Sequence, residues 1–416
     1  MGYRFLKKLV KVDEAIALVP KKLKIELTTE EIDFDKSLGR VLAEDIISSF
    51  DLPPVNESAF EGYAVRGVDV LSASQYYPVR LKVIGDVKIG VGLTIEGTQG
   101  QAIKVVTGAA LPNGFDTVVP VEYVRFSGDE IEVSKSFPIG DNVIHKGEDV
   151  KKGQKVIRKG KIIDPFDIAM LAHLKQTRVK VLEKLRIAII PTGSELIEPY
   201  EIGDVYKTVN TNAYALSALC KLPWIEAHRL GVVQDDLEAL TCAIRSSIED
   251  HHALVLTGGT SVGESDLVPE SVRRAGRVDL MIRGIGIQPG RPTGVAVLSG
   301  KPVFMLSGFP VACMVGFIAL VRPLLYKMVD AMEPPRPIVR AILKSRVSSS
   351  LGVASYVRVK VRRKDGELIA EPVRVLGSST ISSLTDANGF LIVPLGSEGF
   401  DGGSEVEVLL YGPIQR

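Results

Sequence analysis

Apolar and polar positions in the third quarter of the chain alternate between strand-like and helical spacing. RIAIIPTG (186–193) is an apolar run that ends in a glycine turn, and NTNAYALSALCKL (210–222) has helical spacing after a polar cap. The cycle recurs and ends in the strand KPVFMLSG (301–308) and a long apolar helix from 310. Strands and helices that alternate in this way predict a doubly wound, mostly parallel sheet, whose ligands bind beyond the carboxyl ends of its strands.

The patterns on both sides of this segment are of the β type. EPPRP (333–337) predicts a linker, and the short alternating stretches after it, such as SYVRVKVRR, predict a separate β domain. Residues 51–180 are also rich in β-type runs and glycine turns. Helical spacing in the first part of the chain predicts helices at 11–20, 29–38 and 162–174.

Composition narrows the class of protein. A chain of 416 residues is too long for one ordinary core and should form two to four domains. Its 51 Lys and Arg residues nearly balance 50 Asp and Glu residues, so no overall field attracts nucleic acid or an anionic membrane. The basic start is interrupted by Asp13 and Glu14, and the longest apolar run, 311–321, is shorter than the roughly 20 residues of a membrane span. We therefore expect a cytoplasmic protein without a membrane or nucleic-acid partner.

The cysteines and one histidine pair are expected to be structural. Cys220, Cys242 and Cys313 are odd in number and widely spaced within apolar helical patterns, which predicts buried thiols in a reducing compartment. His251 and His252 follow Asp250 at a predicted helix end, where an interaction with the helix dipole is the expected role.

The loop TGGTSVGES (257–265) follows a predicted buried strand and carries the clearest candidate chemistry. Glycines let main-chain N–H groups approach an anion, and Thr257, Thr260 and Ser261 add hydroxyl donors. Glu264 and Asp266 would repel a bare phosphate, so a divalent cation that bridges carboxylate and phosphate would reconcile the two features. The alternative is a tight turn whose acids cap the next helix.

Other turns carry weaker signals. PTGSEL (191–196) places Glu195 after another strand of the same sheet, although a plain helix start would have the same pattern. QPGRP (288–292) is expected to hold Arg291 in a rigid turn. Such a turn could bind an oxyanion through the guanidinium, or it could be a plain surface turn. ESAFEGYAVRG (57–67) is either a packed loop or part of a site. HKGEDVKKG (145–153) reads as a solvated hairpin tip unless Asp149 faces a partner.

Eight segments together resemble one known family. They resemble motifs of the MoeA family, and they occur in the order and approximate spacing of that family. This family consists of molybdopterin molybdenumtransferases and includes the gephyrin E-domain. The segments are ESAFEGYAVR, IKVVTGAALP, GEDVKKG, PTGSEL, VNTNAYAL, TGGTSVGESD, QPGRP and LSGFPVACMV. The resemblance covers essentially the whole chain. It implies an enzyme that, with Mg²⁺, takes adenylylated molybdopterin and molybdate and yields molybdenum cofactor and AMP.

The resemblance also implies domains and partners. Residues 1–50 and 150–181 would form a discontinuous, elongated N-terminal domain, with a small β domain inserted at 51–149. The molybdopterin-binding α/β domain would cover 182–332, and a C-terminal β-barrel 338–416. The family implies a homodimer that works with an adenylyltransferase-type partner and with molybdoenzyme acceptors.

The site residues are carried over from the family's motifs by position. The catalytic acids would be Asp266, Glu195, Asp149 and Glu61, and the Mg²⁺ ligands would be Asp235, Asp266 and Glu195. The residues that would contact molybdopterin or molybdate are Thr107, Thr192, Gly193, Asn212, Thr257, Gly258, Gly259, Thr260, Ser261, Gly263, Arg291, Pro292, Arg358, Ser378 and Ser379.

Five positions depart from the family's pattern. Glu61 replaces an aspartate, Gln288 and Arg291 stand where lysines are usual, and LSGFP, with Ser307 and Phe309, replaces LPGNP. Loss of one cation weakens an oxyanion site, and arginine exchanges a point charge for a planar fork. Two alternatives follow: a paralogue that prefers tungstate, or a molybdopterin-binding scaffolding module with reduced catalytic activity.

Overall fold

The computed structural model describes residues 9–90, 95–203, 205–259, 267–373 and 377–415. The chain divides into two compact units. The first unit comprises Met1–Glu44, Gly160–Ile168 and Thr177–Arg416, and the second comprises Asp45–Lys159 and Ala169–Gln176.

A six-stranded sheet forms the centre of the first unit. Its strands are β1 (Leu185–Pro191), β2 (Ile225–Arg229), β3 (Ala253–Thr257), β4 (Val278–Arg283), β5 (Gly294–Leu298) and β6 (Lys301–Leu306). They lie in the order β2-β1-β3-β6-β5-β4, and the first four are parallel while β5 and β4 are antiparallel to their neighbours. The predicted mostly parallel sheet is confirmed, with an antiparallel edge that the helix-strand alternation did not predict.

Successive residues of each central strand enter different cores, because strand side chains alternate between the two faces of a sheet. Ile187 and Ile189 belong to one apolar cluster, and Ala188 and Ile190 to another. The covering helices are α1 (Thr211–Leu219), α2 (Leu237–Asp250), α3 (Leu267–Ala275) and the continuous helix α4 (Pro310–Met328). Both faces are therefore buried, which explains why these strands are continuous apolar runs.

Helix α4 begins at Pro310 and ends at Met328, which confirms the long apolar helix predicted from 310. Two α-helical segments, Pro310–Gly316 and Arg322–Met328, are joined by a π-helical turn, Phe317–Val321. Among the described residues it is the one helix long and apolar enough to cross a membrane, with a mean hydropathy of 1.6. However, 72% of its most apolar stretch of 18 residues is buried inside the protein, as in a core helix of a globular domain.

The first residues of this unit are built around a strand pair. After the helix Val12–Leu18 and a 3₁₀ turn (Pro20–Lys22), strand Thr29–Asp33 pairs antiparallel with Arg178–Leu182. The helix predicted at 29–38 is therefore wrong, and only the 3₁₀ turn Phe34–Lys36 is helical there. Pairing with a segment about 150 residues away outweighs the local helical pattern.

The C-terminal part of the first unit is a closed five-stranded β-barrel. Its strands are β7 (Ile338–Leu343), β8 (Ala354–Lys364), β9 (Glu367–Pro372), β10 (Gly389–Val393) and β11 (Glu405–Leu410). The hydrogen-bonded order β8-β9-β7-β11-β10 returns to β8, which closes the barrel. Shorter elements of this unit are Leu196–Ile197 paired with Thr208–Val209, Val347–Ser348 paired with Gly399–Phe400, Ile287–Gln288 paired with the start of β8, and the helix Ser382–Asp386.

The second unit contains its own six-stranded sheet, as the β-type runs predict. Its strands, in spatial order, are Thr117–Pro120, Gly62–Val65, Gln101–Val105, Val79–Val87, Glu130–Val133 and Val124–Ser127. The remaining elements are Ile46–Ile47 paired with Lys155–Ile157, Glu57–Ser58 paired with Val143–Ile144, the short helix Gly67–Val70 and the 3₁₀ turn Val121–Tyr123. The helix Pro165–His173, which begins in the first unit and ends in the second, confirms the helix predicted at 162–174.

Two of the three cysteines are buried as predicted. Burial raises the pKa of the Cys220 and Cys313 thiols to about 12, so both are protonated near neutral pH. The prediction is wrong for Cys242, which is exposed on α2. The buried positions of that helix include Thr241 and Ile244, so Cys242 lies on its solvent face.

Candidate functional site

Three loops meet at the carboxyl edge of the central sheet. They follow β1, β3 and β6, and main-chain hydrogen bonds connect them. The N–H of Thr192 donates to the carbonyl of Thr257 at 2.8 Å, and the N–H of Gly258 donates to the carbonyl of Leu306 at 3.2 Å. Because these strands are parallel, their glycine-bearing ends are held side by side. We refer to the described residues of these loops, 192–195, 258–259 and 307–309, as the ligand edge.

Asn212, in the first turn of α1, connects two of these loops. Its Nδ2 donates to Thr257 Oγ1 at 2.9 Å and to the Gly308 carbonyl at 2.8 Å. Since a carbonyl only accepts, the amide orientation is fixed, and its Oδ1 is buried without a partner among the described residues. Thr192 Oγ1 is also buried and has no partner in the described part of the chain. Unsatisfied buried oxygens cost free energy, so they favour a ligand or water that supplies donors.

Replacing Thr257 with valine should destabilise the ligand edge without changing its shape. Besides accepting from Asn212, the hydroxyl donates to the Ser307 carbonyl at 3.3 Å. Thr257 is only 2% exposed, so the loss of both hydrogen bonds should lower the free energy of unfolding by about 1–3 kcal/mol. Urea unfolding of Thr257→Val and of Thr257→Ser, which keeps the hydroxyl, checks this. Equal stability of Thr257→Val and wild type would show that the hydroxyl bonds contribute nothing.

Two carboxylates lie beside the loop that follows β1. Asp235 follows β2, and its Oδ2 accepts from the N–H of Ser194 at 3.4 Å while its own N–H donates to Ser194 Oγ at 3.1 Å. The Glu195 carboxylate covers Gly193, where an added Cβ would lie 2.7 Å from its Oε2. Both acids are exposed. Glu195 and Asp235 are thus brought to the same loop.

The third predicted metal ligand, Asp266, lies outside the described residues, as do Glu264, Thr260, Ser261 and Gly263. Within the described part of the chain, no three His, Cys, Asp or Glu side chains gather closely enough to hold a metal ion. The predicted three-acid set therefore stays a prediction, with two of its members near one another.

The QPGRP turn follows the short strand Ile287–Gln288, which pairs with the start of β8. Arg291 is half-buried, and its Nη2 donates to Gln288 Oε1 at 3.0 Å. The carbonyl of Arg291 accepts from the N–H of Ile285 at 3.1 Å, and Pro292 is half-buried beside it. Gln288 therefore orients the guanidinium and adds no second cation to the turn.

Arg358 projects from the barrel strand β8 towards the loop that precedes the helix Ser382–Asp386. Its Nη1 donates to the Gly377 carbonyl at 3.2 Å and to Ser383 Oγ at 2.9 Å. Burial disfavours the charged form and lowers the pKa of this guanidinium. The carbonyl of Ser378 accepts from the N–H of Val311 in the first turn of α4, and Ser379 is exposed in the same loop. This loop thus links the barrel to the helix that begins at the ligand edge.

Three predicted site residues, Thr107, Glu61 and Asp149, belong to the second unit. Thr107 occupies a turn whose next N–H, that of Gly108, donates to the Ser58 carbonyl at 2.8 Å. Glu61 is exposed at the end of the segment that begins with Ser58. Asp149 is exposed in the loop after Val143–Ile144, the strand paired with Glu57–Ser58. The three residues therefore border one strand pair of this unit.

Some residues of the ligand edge were not predicted. Ser194 exchanges two hydrogen bonds with Asp235, and its carbonyl accepts from Lys207 Nζ at 3.0 Å. Gly308 supplies the carbonyl that fixes Asn212. Ser194 lies inside the predicted PTGSEL motif, so its position was a signal, but its partner is 41 residues away.

A separate pocket of about 620 Å³ lies where the last turns of α1 face the edge strand β2. It is lined by Tyr214, Ser217, Ala218, Cys220, Lys221, Leu222, Pro223, Ile225, Ala227 and Arg229. None of the predicted site residues lines this pocket.

The fold and the ligand edge define a class of protein: a mostly parallel α/β domain with glycine turns and carboxylates at its binding edge, followed by a small β-barrel. Three family models match in this order: "MoeA N-terminal region (domain I and II)" at residues 10–174, "Probable molybdopterin binding domain" at 188–327 and "MoeA C-terminal region (domain IV)" at 340–411. The chain belongs to the MoeA family.

Individual relatives agree over nearly the full length. A Methanocaldococcus jannaschii protein named for molybdopterin biosynthesis is 37% identical over 98% of this chain and 99% of its own. A Staphylococcus epidermidis molybdopterin molybdenumtransferase is 33% identical over 96% of this chain and 95% of its own. The crystal structure of a molybdopterin biosynthesis protein from Pyrococcus horikoshii OT3 is 36% identical, with a TM-score of 0.81, and covers 97% of this chain and 100% of that one.

Proposed function

We propose that this protein is a molybdopterin molybdenumtransferase that cleaves adenylylated molybdopterin, inserts molybdate with the help of Mg²⁺, and yields molybdenum cofactor and AMP. The observation that carries the proposal is the ligand edge, where Gly193, Gly258 and Gly259 lie beside the carboxylates of Glu195 and Asp235. Relatives named for this activity support it.

The donor set of the ligand edge fits Mg²⁺. This ion prefers oxygen ligands and commonly takes one or two carboxylates, with substrate phosphates and water completing its shell. Glu195 and Asp235 would supply the carboxylates, with Asp266 as the third predicted ligand. When bound, Mg²⁺ would neutralise the diphosphate charge and polarise the bond that is cleaved. The loop N–H groups would orient the phosphates, which are otherwise repelled by the two acids.

The arginines are assigned to the oxyanion. Arg291 presents a planar fork that Gln288 holds, and Arg358 presents a second guanidinium beside the loop of Ser378 and Ser379. A fork with several donors matches the oxygens of a tetrahedral oxyanion better than a point charge does. We assign Thr107, Asp149 and Glu61 to the same reaction, as the N-terminal contribution to the cleft.

A preference for tungstate is the second candidate function. The hydrogen bond between Gln288 and Arg291 favours it, because this turn carries one cation where the family pattern has two. Specificity is a difference between two affinities, so the altered turn has to be tested with both oxyanions on the same protein. A competition assay in which both oxyanions are supplied and the metal of the product is analysed decides between them.

Purified protein, incubated with adenylylated molybdopterin, Mg²⁺ and molybdate, should release AMP and form a product that activates an apo-molybdoenzyme. Omission of Mg²⁺ or of molybdate should each suppress product formation. The measurement is AMP quantified by chromatography, with reconstituted molybdoenzyme activity as the second readout. Tight binding of the substrate without AMP release would instead support a scaffolding module.

We also propose the assembly and location that the family implies: a cytoplasmic homodimer that receives its substrate from an adenylyltransferase-type partner and delivers cofactor to molybdoenzymes. The domain limits proposed for it are 1–50 with 150–181, 51–149, 182–332 and 338–416. Sedimentation equilibrium tests the dimer, and limited proteolysis tests the limits.

A further inference from the structure

Two histidines meet at the free edge of the central sheet, away from the loops of the ligand edge. His228 lies on the edge strand β2, and His251 follows the last residue of α2. His228 Nδ1 and His251 Nε2 are 2.8 Å apart, and their ring planes are inclined by 77°. His251 is 9% exposed, whereas the side chain of His228 is 41% exposed.

The outer nitrogen of each ring faces a group that accepts hydrogen bonds. His251 Nδ1 lies 2.8 Å from the Ser247 carbonyl, in the last turn of α2, and His228 Nε2 lies 3.1 Å from Glu226 Oε1. Carbonyl and carboxylate oxygens offer no proton, so both outer nitrogens carry hydrogen. In the neutral imidazoles, each inner nitrogen then carries a lone pair. Two lone pairs that face each other at 2.8 Å repel unless a cation lies between them.

The surroundings favour a metal ion. Histidines that bind metals usually donate their other N–H to a carboxylate or a main-chain carbonyl, which is the arrangement of Glu226 and Ser247 here. The nearby cation Arg186 is already engaged, since its Nη1 contacts Glu183 at 2.7 Å and its Nε donates to the Asp250 carbonyl at 2.9 Å. His252 accepts from the main-chain N–H of Arg186, so it takes no part in the pair.

We propose that His228 and His251 form a two-histidine site for a divalent transition metal such as Zn²⁺, with water in the remaining coordination positions. Bonds of 2.0–2.1 Å at a tetrahedral angle place the two nitrogens about 3.3 Å apart, so the pair opens by about 0.5 Å and the rings turn until each lone pair points at the ion. His228 is on an edge strand and half-exposed, so this movement is available to it. The bound ion would connect β2 to the end of α2. Imidazole ligands select Zn²⁺, Cu²⁺ or Ni²⁺ over Mg²⁺.

Isothermal titration of the full-length protein with ZnCl₂, in buffer with millimolar Mg²⁺ to occupy carboxylate sites, tests the proposal. We expect one site with a Kd on the order of 10 μM, because two of the four ligands of a structural zinc site are present. His228→Ala and His251→Gln should each weaken binding at least tenfold, and Glu226→Gln about tenfold through loss of the outer carboxylate. His173→Ala, at an exposed helix end, is the matched control and should bind as wild type.

A second readout separates this site from nonspecific binding. Zn²⁺ should raise the unfolding temperature of wild type and of His173→Ala but not that of His228→Ala. If His251→Gln does not fold, the exposed His228→Ala variant decides alone. Absence of binding up to about 100 μM Zn²⁺, or equal affinity of wild type and His228→Ala, would overturn the proposal.

Discussion

Glu195→Gln should reduce AMP release about 100-fold while the protein keeps its fold. The substitution keeps the size of the side chain and removes its charge. At the ligand edge, the Glu195 carboxylate covers Gly193 next to Asp235, and its main-chain carbonyl accepts from the N–H of Thr208, so the loop itself is preserved. The expected loss is that of one charged contact to the metal-diphosphate group. The measurement is steady-state AMP release at several Mg²⁺ concentrations.

Two comparisons make this result specific. Glu249→Gln removes the same charge at the exposed C-terminal end of α2, at the edge of the sheet opposite the ligand edge. Its rate of AMP release should stay within twofold of wild type. High Mg²⁺ should recover part of the activity of Glu195→Gln, because the variant lowers affinity for the ion. Full activity of Glu195→Gln at low Mg²⁺ would show that Glu195 does not bind the metal-diphosphate group.

The central sheet was predictable because its signals are local. Strands buried on both faces are apolar runs, as in β1, and helices begin at polar residues that cap them. Asn210 accepts from the N–H of Ala213, as the polar cap of the 210–222 segment suggested, and Asp236 caps α2 in the same way by accepting from the N–H of Ala239. At α1 the hydrophobic period and the cap agree, and the predicted helix is confirmed.

Pairing over long distances was not predictable in the same way. The segment 29–38 has acids early and apolar residues at helical spacing, yet Thr29–Asp33 is a strand because Arg178–Leu182 lies beside it. The antiparallel strands β4 and β5 were also missed. β4 is half-exposed, whereas β5 is a fully buried apolar run, so its strand signal was present in the sequence. Local propensity is a weak prior that tertiary contacts override.

In the candidate site, too, the local motifs were predictable and the contacts over long distances were not. The motifs identified which loops carry glycines and acids, and their position after parallel strands put them at one edge. The sequence contained no sign that Ser194 and Asp235 would exchange hydrogen bonds, or that His228 would meet His251, because these residues lie 41 and 23 positions apart on different elements. Such pairs depend on the spatial order of the strands, which hydrophobic periodicity does not determine.

Gly258→Ala should lower the unfolding temperature of the first unit by about 10 °C, which corresponds to a loss of about 3–5 kcal/mol. Gly258 has φ of +108°, and an added Cβ would lie 2.0 Å from the Thr192 carbonyl oxygen and 2.9 Å from Thr192 Oγ1. The carbonyl is main chain at the end of β1, and the N–H of the same residue is bonded to Thr257 at 2.8 Å. Relief of the clash therefore requires β1 and β3 to separate at the ligand edge. Differential scanning calorimetry measures the shift.

The matched control for this clash is Gly352→Ala, in the same unit. Gly352 also has a left-handed φ, of +82°, but an added Cβ would meet no atom within 4 Å. Its cost is then only the backbone conformation, about 1–2 kcal/mol. The difference between the two variants isolates the steric contact between the loops that follow β1 and β3. If both variants lose the same stability, these loops are not packed as closely as the structure places them, and a ligand edge built from neighbouring glycine turns is wrong. If only Gly258→Ala is severely destabilised or fails to fold, glycine at 258 is required by the contact with Thr192.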